Sequence, residues 1–472
     1  MRMDKLRRAL LLAIVLAFPA TYALRPVEDN DIFFHVRTGG WILEHGVTRT
    51  DPFTVFGEGK PYVAYAWLFQ VVVYEVHRAA GWVGIAALEA VLAFGCALAI
   101  DRLVARRGAG FTVSAGLTGL ALVAMARMIG PRSWLFTIAF FALELDLVLV
   151  ARERKEPRRL FWLVPLFVLW ANLHVQFVYG LALLGLLGIE SLIETARGED
   201  RRLPPGPIAV AGVLSTLATL ANPYGVGLWA TVLEYAGASR AYTLVGEHAA
   251  LTFRSFNDWC LLGLALAAAY ALGARRERRP FPYLLLALAA LLGFRSGRDG
   301  FALAAIAAAT LASSCGTPSK PREFPTSAPE WLGVVALSAV FLVGLAFARG
   351  IGEEKMDREI AKIFPVEAAA AIERLDLPGP IFNDYDWGSY LIWRLPGRPV
   401  SIDGRTNLHG DERIARSRSV WQGAPGWEKD EDLSRARCVV ASTNQSLTYL
   451  LERDPRFALV HQDSVAWVFS RK

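Results

Sequence analysis

Apolar runs separated by short arginine-rich stretches dominate this chain, and they leave few folds open to it. They lie near 9–24, 83–101, 111–128, 133–150, 160–172, 176–195, 207–221, 257–273, 281–295, 299–315 and 331–348. Crossing a bilayer takes about 20 apolar residues in a helix; several runs are shorter than that, so their boundaries are soft. Hydrophobic residues make up 54% of the 472 residues and charged residues 20%, against about 25% charged in ordinary globular proteins. Disorder, a collagen-like fibre and a simple soluble enzyme are excluded. An α-helical polytopic membrane protein with about eleven spans is expected.

The formal charge of +6 is explained by position. Arg102, Arg106 and Arg107 follow one run; Arg152, Arg154, Lys155, Arg158 and Arg159 follow another. Arg197, Arg201 and Arg202 make a third cluster, and Arg275, Arg276, Arg278 and Arg279 a fourth. Arginines gather in cytoplasmic loops, so all four clusters belong on one side, with the basic N-terminus and a retained first helix. No nucleic-acid module is present. Segments 25–82, 129–132, 173–175, 222–256 and 296–298 then fall outside, together with 351–472. Cys96, Cys260 and Cys315 lie in or beside apolar runs and Cys438 in the polar region, with no CxxC spacing; neither a zinc site nor a disulfide framework is supported.

The expected organisation is a membrane domain over 1–350, including the first outer loop at 25–82, and a small extracytoplasmic α/β domain over 351–472. In the loop, Ile32, Phe33, Val36, Trp41 and Ile42 oppose Asp31, His35, Arg37 and Glu44, the pattern of an amphipathic helix on the membrane surface. A second such helix is expected over 64–78. In the C-terminal domain, 367–375 reads as a helix and 380–383, 399–403, 438–442 and 465–470 as strands. A Pro/Ser-rich linker covers 316–329, and no internal repeat is visible.

Glu28, Asp29 and Asp31 follow the first run directly. Carboxylates beside a membrane boundary are costly unless solvated or used. One reading is that they cap the surface helix; the other is a general base activating an acceptor hydroxyl. The stretch Glu28-Asp29-Asn30-Asp31-Ile32-Phe33-Phe34-His35-Val36-Arg37, followed by Trp41-Ile42-Leu43-Glu44-His45-Gly46 and Asp51-Pro52-Phe53, resembles the first outer loop of GT-C glycosyltransferases. These multi-span enzymes take sugar from polyprenyl-phosphate or polyprenyl-diphosphate carriers. The resemblance implies Asp31 as the catalytic residue, Asp29 as second choice, and His35 and Asp51 as neighbours of the site.

A second stretch, Asn383-Asp384-Tyr385-Asp386-Trp387-Gly388-Ser389-Tyr390, then Asp403-Gly404-Arg405-Thr406-Asn407, is similar to the signature of oligosaccharyltransferase catalytic subunits. There the motif opens the soluble domain and helps to bind the acceptor. The resemblance implies acceptor contacts from Asp384, Asp386, Trp387, Asp403 and Arg405, with Asp386 and Trp387 facing Asp31 across a cavity; a turn with a buried Trp is the alternative. Oligosaccharyltransferases also hold a divalent metal on an acidic pair in the second outer loop. Here that loop is Met128-Ile129-Gly130-Pro131-Arg132, with no acid, so no metal ligand and no cofactor is expected, although a divalent metal stays open.

A monophosphate donor neutralised by arginines fits better, because guanidinium forks suit phosphate. Arg132, Arg254, Arg295 and Arg298 are the candidates, each with the alternative of reaching lipid headgroups. The resemblance to GT-C proteins implies Asn172 and His174 in the donor cleft; Glu247 and His248 are candidates near the leaving phosphate, with a solvated loop pair as the alternative. The expected partners are a polyprenyl-phosphate-linked sugar, a glycan, lipid or protein acceptor, and the membrane, with no nucleic acid. The expected location is a bacterial inner membrane. A peptide-acceptor oligosaccharyltransferase and a non-catalytic glycan-binding scaffold or transporter are the alternatives.

Overall fold

The structure is a computed structural model that describes residues 2–237, 249–275, 279–315 and 324–472. Helices occupy the apolar runs: Arg2–Ala17, Trp67–Ala105, Phe111–Met125, Trp134–Arg154, Leu163–Leu173, Val178–Ala196, Pro205–Ala218, Phe256–Gly273, Pro280–Arg295, Gly300–Cys315 and Ala328–Ala348. Among the described residues six helices are long and apolar enough to cross a membrane; Pro205–Ala218 and Pro280–Arg295 are shorter apolar helices. The chain is a multi-pass helical membrane protein. Its contacts divide it into two compact units: Met1–Arg25 with Ala86–Val226 and Gly246–Gly350, and Pro26–Ile85 with Gly227–Val245 and Ile351–Lys472. The first outer loop, grouped by the sequence with the spans, thus shares a unit with the C-terminal region.

In the first unit, Gly300–Cys315 is buried along nearly its whole length. Its alanine-rich sequence lets neighbouring helices approach closely, the packing that stabilises helices where water supplies no driving force between them. Ala328–Ala348 is the opposite case. It buries only Val334 and Ser338 and exposes Leu332, Val340, Val343 and Phe347, a surface suited to lipid chains. Asp146, an acid inside an apolar run, is buried and bonded by Arg102, Arg106 and Arg107 at 2.8–3.0 Å.

The second unit is built around a four-stranded sheet. Its strands are β1 (Ile381–Asn383), β2 (Cys438–Ser442), β3 (Phe457–Gln462) and β4 (Ala466–Arg471), in the order β1-β2-β4-β3. β1 pairs with β2 in parallel; the other pairs are antiparallel. Of the expected 399–403 strand only a bridge at Val400 forms, and it joins Ile381 on one side to Thr54 of the first loop on the other. That bridge carries the loop onto the sheet: Val55 N donates to Val400 O at 3.1 Å and Val400 N to Phe53 O at 3.2 Å.

The expected surface helix is present as Asp31–His45, but it is enclosed by protein. Its Gly39 and Gly40 lie against Gln70 and Tyr74, where a Cβ would come within 2.0 and 2.7 Å of those residues. The second expected surface helix is instead the opening of the long helix Trp67–Ala105, which kinks at Ala80 and Gly81. Gly81 takes a φ of 57°, a conformation that favours glycine. The kink leaves helical N–H groups without intrahelical partners. Glu353 supplies the acceptors, taking Trp82 N at 2.9 Å and Val83 N at 3.1 Å.

Candidate active site

Asp31 begins the helix Asp31–His45, and the residue two before it sets that start. The Asp29 carboxylate accepts the Asp31 backbone N–H at 3.0 Å, satisfying one of the orphan donors of a helix N-terminus. Asp29 thus holds the backbone at the helix start, and Asp31 occupies the first turn. Asp29→Ala is expected to lower stability by about 1 kcal/mol, read as a lower Tm of the purified protein.

Phe33 anchors the same helix. It is fully buried and meets the rings of Trp82, Phe364, Tyr390 and Trp393 at centroid distances of 4.8–5.4 Å. This cluster joins the first loop, the long helix, the segment after the last span and the helix Gly388–Arg394. It fixes where Asp31 can reach. The Asp31 carboxylate lies against Gly404, so closely that a Cβ there would sit 2.4 Å from Asp31 Oδ1. The Tyr385 hydroxyl donates to Gly404 O at 3.1 Å and lies 3.0 Å from Thr406 Oγ1. Burial pushes the Tyr385 phenol up, with Asp31 among the charges adding to the effect.

The oligosaccharyltransferase-like motif meets the first loop through its main chain. Asn30 Nδ2 donates to Asp386 O at 3.3 Å. Gly388 allows the chain segment at Ile402 and Asp403 to pass, since a Cβ there would come within 1.9 Å of Ile402 O. Asp384 accepts from Asp386 N at 3.0 Å and from Gln445 Nε2 at 2.9 Å, and burial raises its pKa. Asp386 is exposed.

Three of the expected acceptor contacts are corrected by these surroundings. Trp387 does not face Asp31 across a cavity: its ring is buried and its indole N–H donates to Ile363 O at 3.0 Å. Asp403 and Arg405 are buried in an ion network. Arg405 Nη2 and Nε reach Asp403 at 2.7 and 2.9 Å, and Nη1 reaches Asp51 Oδ1 at 2.7 Å. Asp51 also accepts the backbone N–H groups of Phe53 and Thr54 at 3.2 and 3.1 Å. A guanidinium enclosed by two carboxylates has no fork left for an acceptor. Burial works against the Asp403 charge, but Arg405 and His409 outweigh it and hold its carboxyl well below the usual range. Asp51 therefore ties the first loop to the C-terminal region. His35 is likewise buried, within hydrogen-bond distance of Gln70 Nε2 at 3.2 Å.

The first unit holds the remaining candidates. Arg132 and Arg298 each stand 4.7 Å from the centroid of the Trp134 ring, a cation–π arrangement. Trp134 is itself held by its indole N–H, donated to Met128 O at 2.6 Å. Beside them, Asp299 accepts from the Tyr179 hydroxyl at 2.6 Å. Arg254 and Arg295 are exposed. Asn172 Nδ2 donates to Val168 O and Ala221 O at 2.8 Å, closing two chain ends together. His174 Nδ1 lies 2.8 Å from Thr137 Oγ1, which also accepts from Trp170 Nε1. Glu247 and His248 lie outside the described residues. Among the described residues no group of three His, Cys, Asp or Glu side chains could hold a metal ion.

No protein-family model and no curated protein matches the sequence. Solved structures do. An archaeal oligosaccharyltransferase, AglB from Archaeoglobus fulgidus in complex with an inhibitory peptide and a dolichol-phosphate, superposes with a TM-score of 0.56 at 12% identity, covering 93% of this chain and 69% of that one. The Archaeoglobus fulgidus oligosaccharyltransferase tethered to an acceptor peptide matches with a TM-score of 0.53, 12% identity and coverages of 92% and 69%. The chain has the GT-C fold. ArnT from Cupriavidus metallidurans, bound to undecaprenyl phosphate, matches at a TM-score of 0.46, 15% identity and coverages of 99% and 97%.

Within that GT-C fold, sequence reasoning missed Tyr385, Gly404 and Asn30 as groups around Asp31. Tyr385 and Gly404 both stand inside the second motif, but only the charged and indole residues drew attention there. The close approach that requires glycine at 404 joins residues far apart in the chain and leaves no local signal.

Proposed function

We propose that the protein is a membrane glycosyltransferase. It takes a sugar from a polyprenyl-phosphate-linked donor and passes it to an extracytoplasmic hydroxyl acceptor, with Asp31 as general base. The observation that carries this reading is the Asp31 carboxylate lying against Gly404, whose carbonyl accepts from the Tyr385 hydroxyl. The GT-C fold, shared with a protein whose structure holds dolichol-phosphate, supports it.

In the proposed reaction, the acceptor oxygen attacks the anomeric carbon and the bond from that carbon to the phosphate oxygen breaks. The carrier leaves as polyprenyl phosphate with the bonding electron pair, and the acceptor proton passes to Asp31. Arginines would stabilise the charge that grows on the leaving phosphate, with Arg132 and Arg298 as the candidates because guanidinium forks suit phosphate. Among the described residues no group of three His, Cys, Asp or Glu side chains could hold a metal ion, and the proposed steps balance without one.

The direct test is transfer from a synthetic polyprenyl-phosphate sugar by the purified protein, in parallel with Asp31→Asn. No transfer to any hydroxyl acceptor would overturn the reading. Two further variants examine its parts. Gly404→Ala should displace the Asp31 carboxylate and lower kcat by about 10²-fold, the cost of misplacing a catalytic group by about 1 Å. Arg298→Gln should raise the donor KM about tenfold, the loss of one charge-assisted hydrogen bond to phosphate, with acceptor KM unchanged.

A further inference from the structure

The four basic clusters of the sequence, which a topology rule explains one by one, converge on a single cavity. It has a volume of about 500 Å³ and takes Arg107, Arg152, Arg202, Arg275 and Arg279 into its lining, at least one arginine from each cluster. Glu153 lines it too. Behind the arginines stand Asp146 for Arg107, Glu190 for Arg152 and Glu194 for Arg279, at 2.6–3.0 Å. Arg275 differs: among the described residues its hydrogen bonds go to neutral oxygens, those of Thr310 and Ser314 at 3.2 and 2.9 Å and the Ser313 hydroxyl. Burial pulls the Arg275 pKa down, so an anion beside it would offset a cost the fold already carries.

A second cavity of about 330 Å³ adjoins this one and shares Leu272 and Tyr283 with it. It is an apolar groove between the helices Phe256–Gly273 and Pro280–Arg295, running from Leu272 and Tyr283 towards Leu262 and Phe294. Ten residues of helix make it about 15 Å long. An arginine-lined chamber opening into an apolar groove matches a molecule with a phosphate at one end and a hydrocarbon chain at the other.

We propose that this pair of cavities binds an anionic phospholipid, its phosphodiester in the chamber and one acyl chain in the groove. Guanidinium groups take the phosphate oxygens in forked hydrogen bonds. The chamber is far larger than a bare phosphate needs, given about 30 Å³ for each water-sized group. The hydroxyls of Thr310, Ser313 and Tyr283 around it suit a glycerol headgroup. A diester with a polar head fills that space, whereas a carrier ending in a bare phosphate leaves it unfilled.

The experiment is native mass spectrometry of the purified full-length protein, titrated separately with phosphatidylglycerol, phosphatidylcholine, undecaprenyl phosphate and inorganic phosphate. The expected result is retention of phosphatidylglycerol over phosphatidylcholine, weakened about tenfold by Arg275→Gln. Ala269→Trp, a change at an exposed position in the groove wall, should weaken it while leaving the arginines untouched and folding intact. Equal retention of the two phospholipids, equal binding by both variants, or binding of inorganic phosphate alone would overturn the proposal. So would retention of undecaprenyl phosphate in preference to phosphatidylglycerol. None of these outcomes depends on whether Asp31 transfers sugar.

Discussion

Asp31→Asn is expected to reduce sugar transfer by about 10²–10⁴-fold, the usual contribution of a positioned general base, while stability falls by less than about 1 kcal/mol. The small stability effect follows from the structure. The helix start is held by Asp29 through the Asp31 backbone N–H, which the substitution keeps, while the favourable charge in the first turn is lost. Asparagine also keeps the shape that fits against Gly404. Transfer kinetics and thermal melting on the same preparation check the expectation. Intact transfer with a lowered Tm would return Asp31 to a purely structural role.

Arg405→Leu is expected to produce the largest loss of stability, about 3–5 kcal/mol, because it strands two buried carboxylates. Asp51 and Asp403 share that one guanidinium. The pH dependence gives a second readout. In the wild type the folded pKa of Asp403 lies below its unfolded value of about 3.9. Its stabilising contribution is therefore present above that pH and is lost as pH falls through the lower folded value. In the variant the stranded Asp403 carboxylate should bind protons more readily folded than unfolded. Stability should then rise as pH falls from 7 towards 5, reversing the wild-type behaviour. A variant with unchanged Tm and the wild-type slope would show that the network contributes little.

The sequence made some levels of this structure legible and hid others, for reasons that differ by residue. Apolar runs report helices because burial in lipid demands length and composition that nothing else in a chain imitates. β2 and β4 were legible as short apolar strands. β3 was not, because much of its side-chain surface is exposed, leaving no clear apolar run. The roles of Asp403 and Arg405 were misread because a motif rich in charge looks like a binding surface until its countercharge is known. That countercharge, Asp51, lies 354 residues earlier. Trp387 was misread in the same way: a Trp beside glycine and acids fits both an acceptor platform and a core, and only the Ile363 carbonyl decides between them. Asp31 stood out because its position after the first span and ahead of an aromatic run is local. The groups that surround it are not.

The pairing of the first loop with the far end of the chain also has a consequence for how the protein is made. The helix Asp31–His45 leaves the ribosome early, with Phe33 and its neighbours exposed, while Phe364, Tyr390, Trp393 and Arg405 are still unsynthesised. At about 5–20 residues per second, the delay is on the order of tens of seconds. For that interval the Asp51 carboxylate has no guanidinium and the Phe33 ring no aromatic partners beyond Trp82. A premature stop after the last span but before Phe364 would leave a nascent chain with its spans in place and its first loop permanently without these partners. Such truncated products are natural substrates for membrane quality control, whatever remains of their helices.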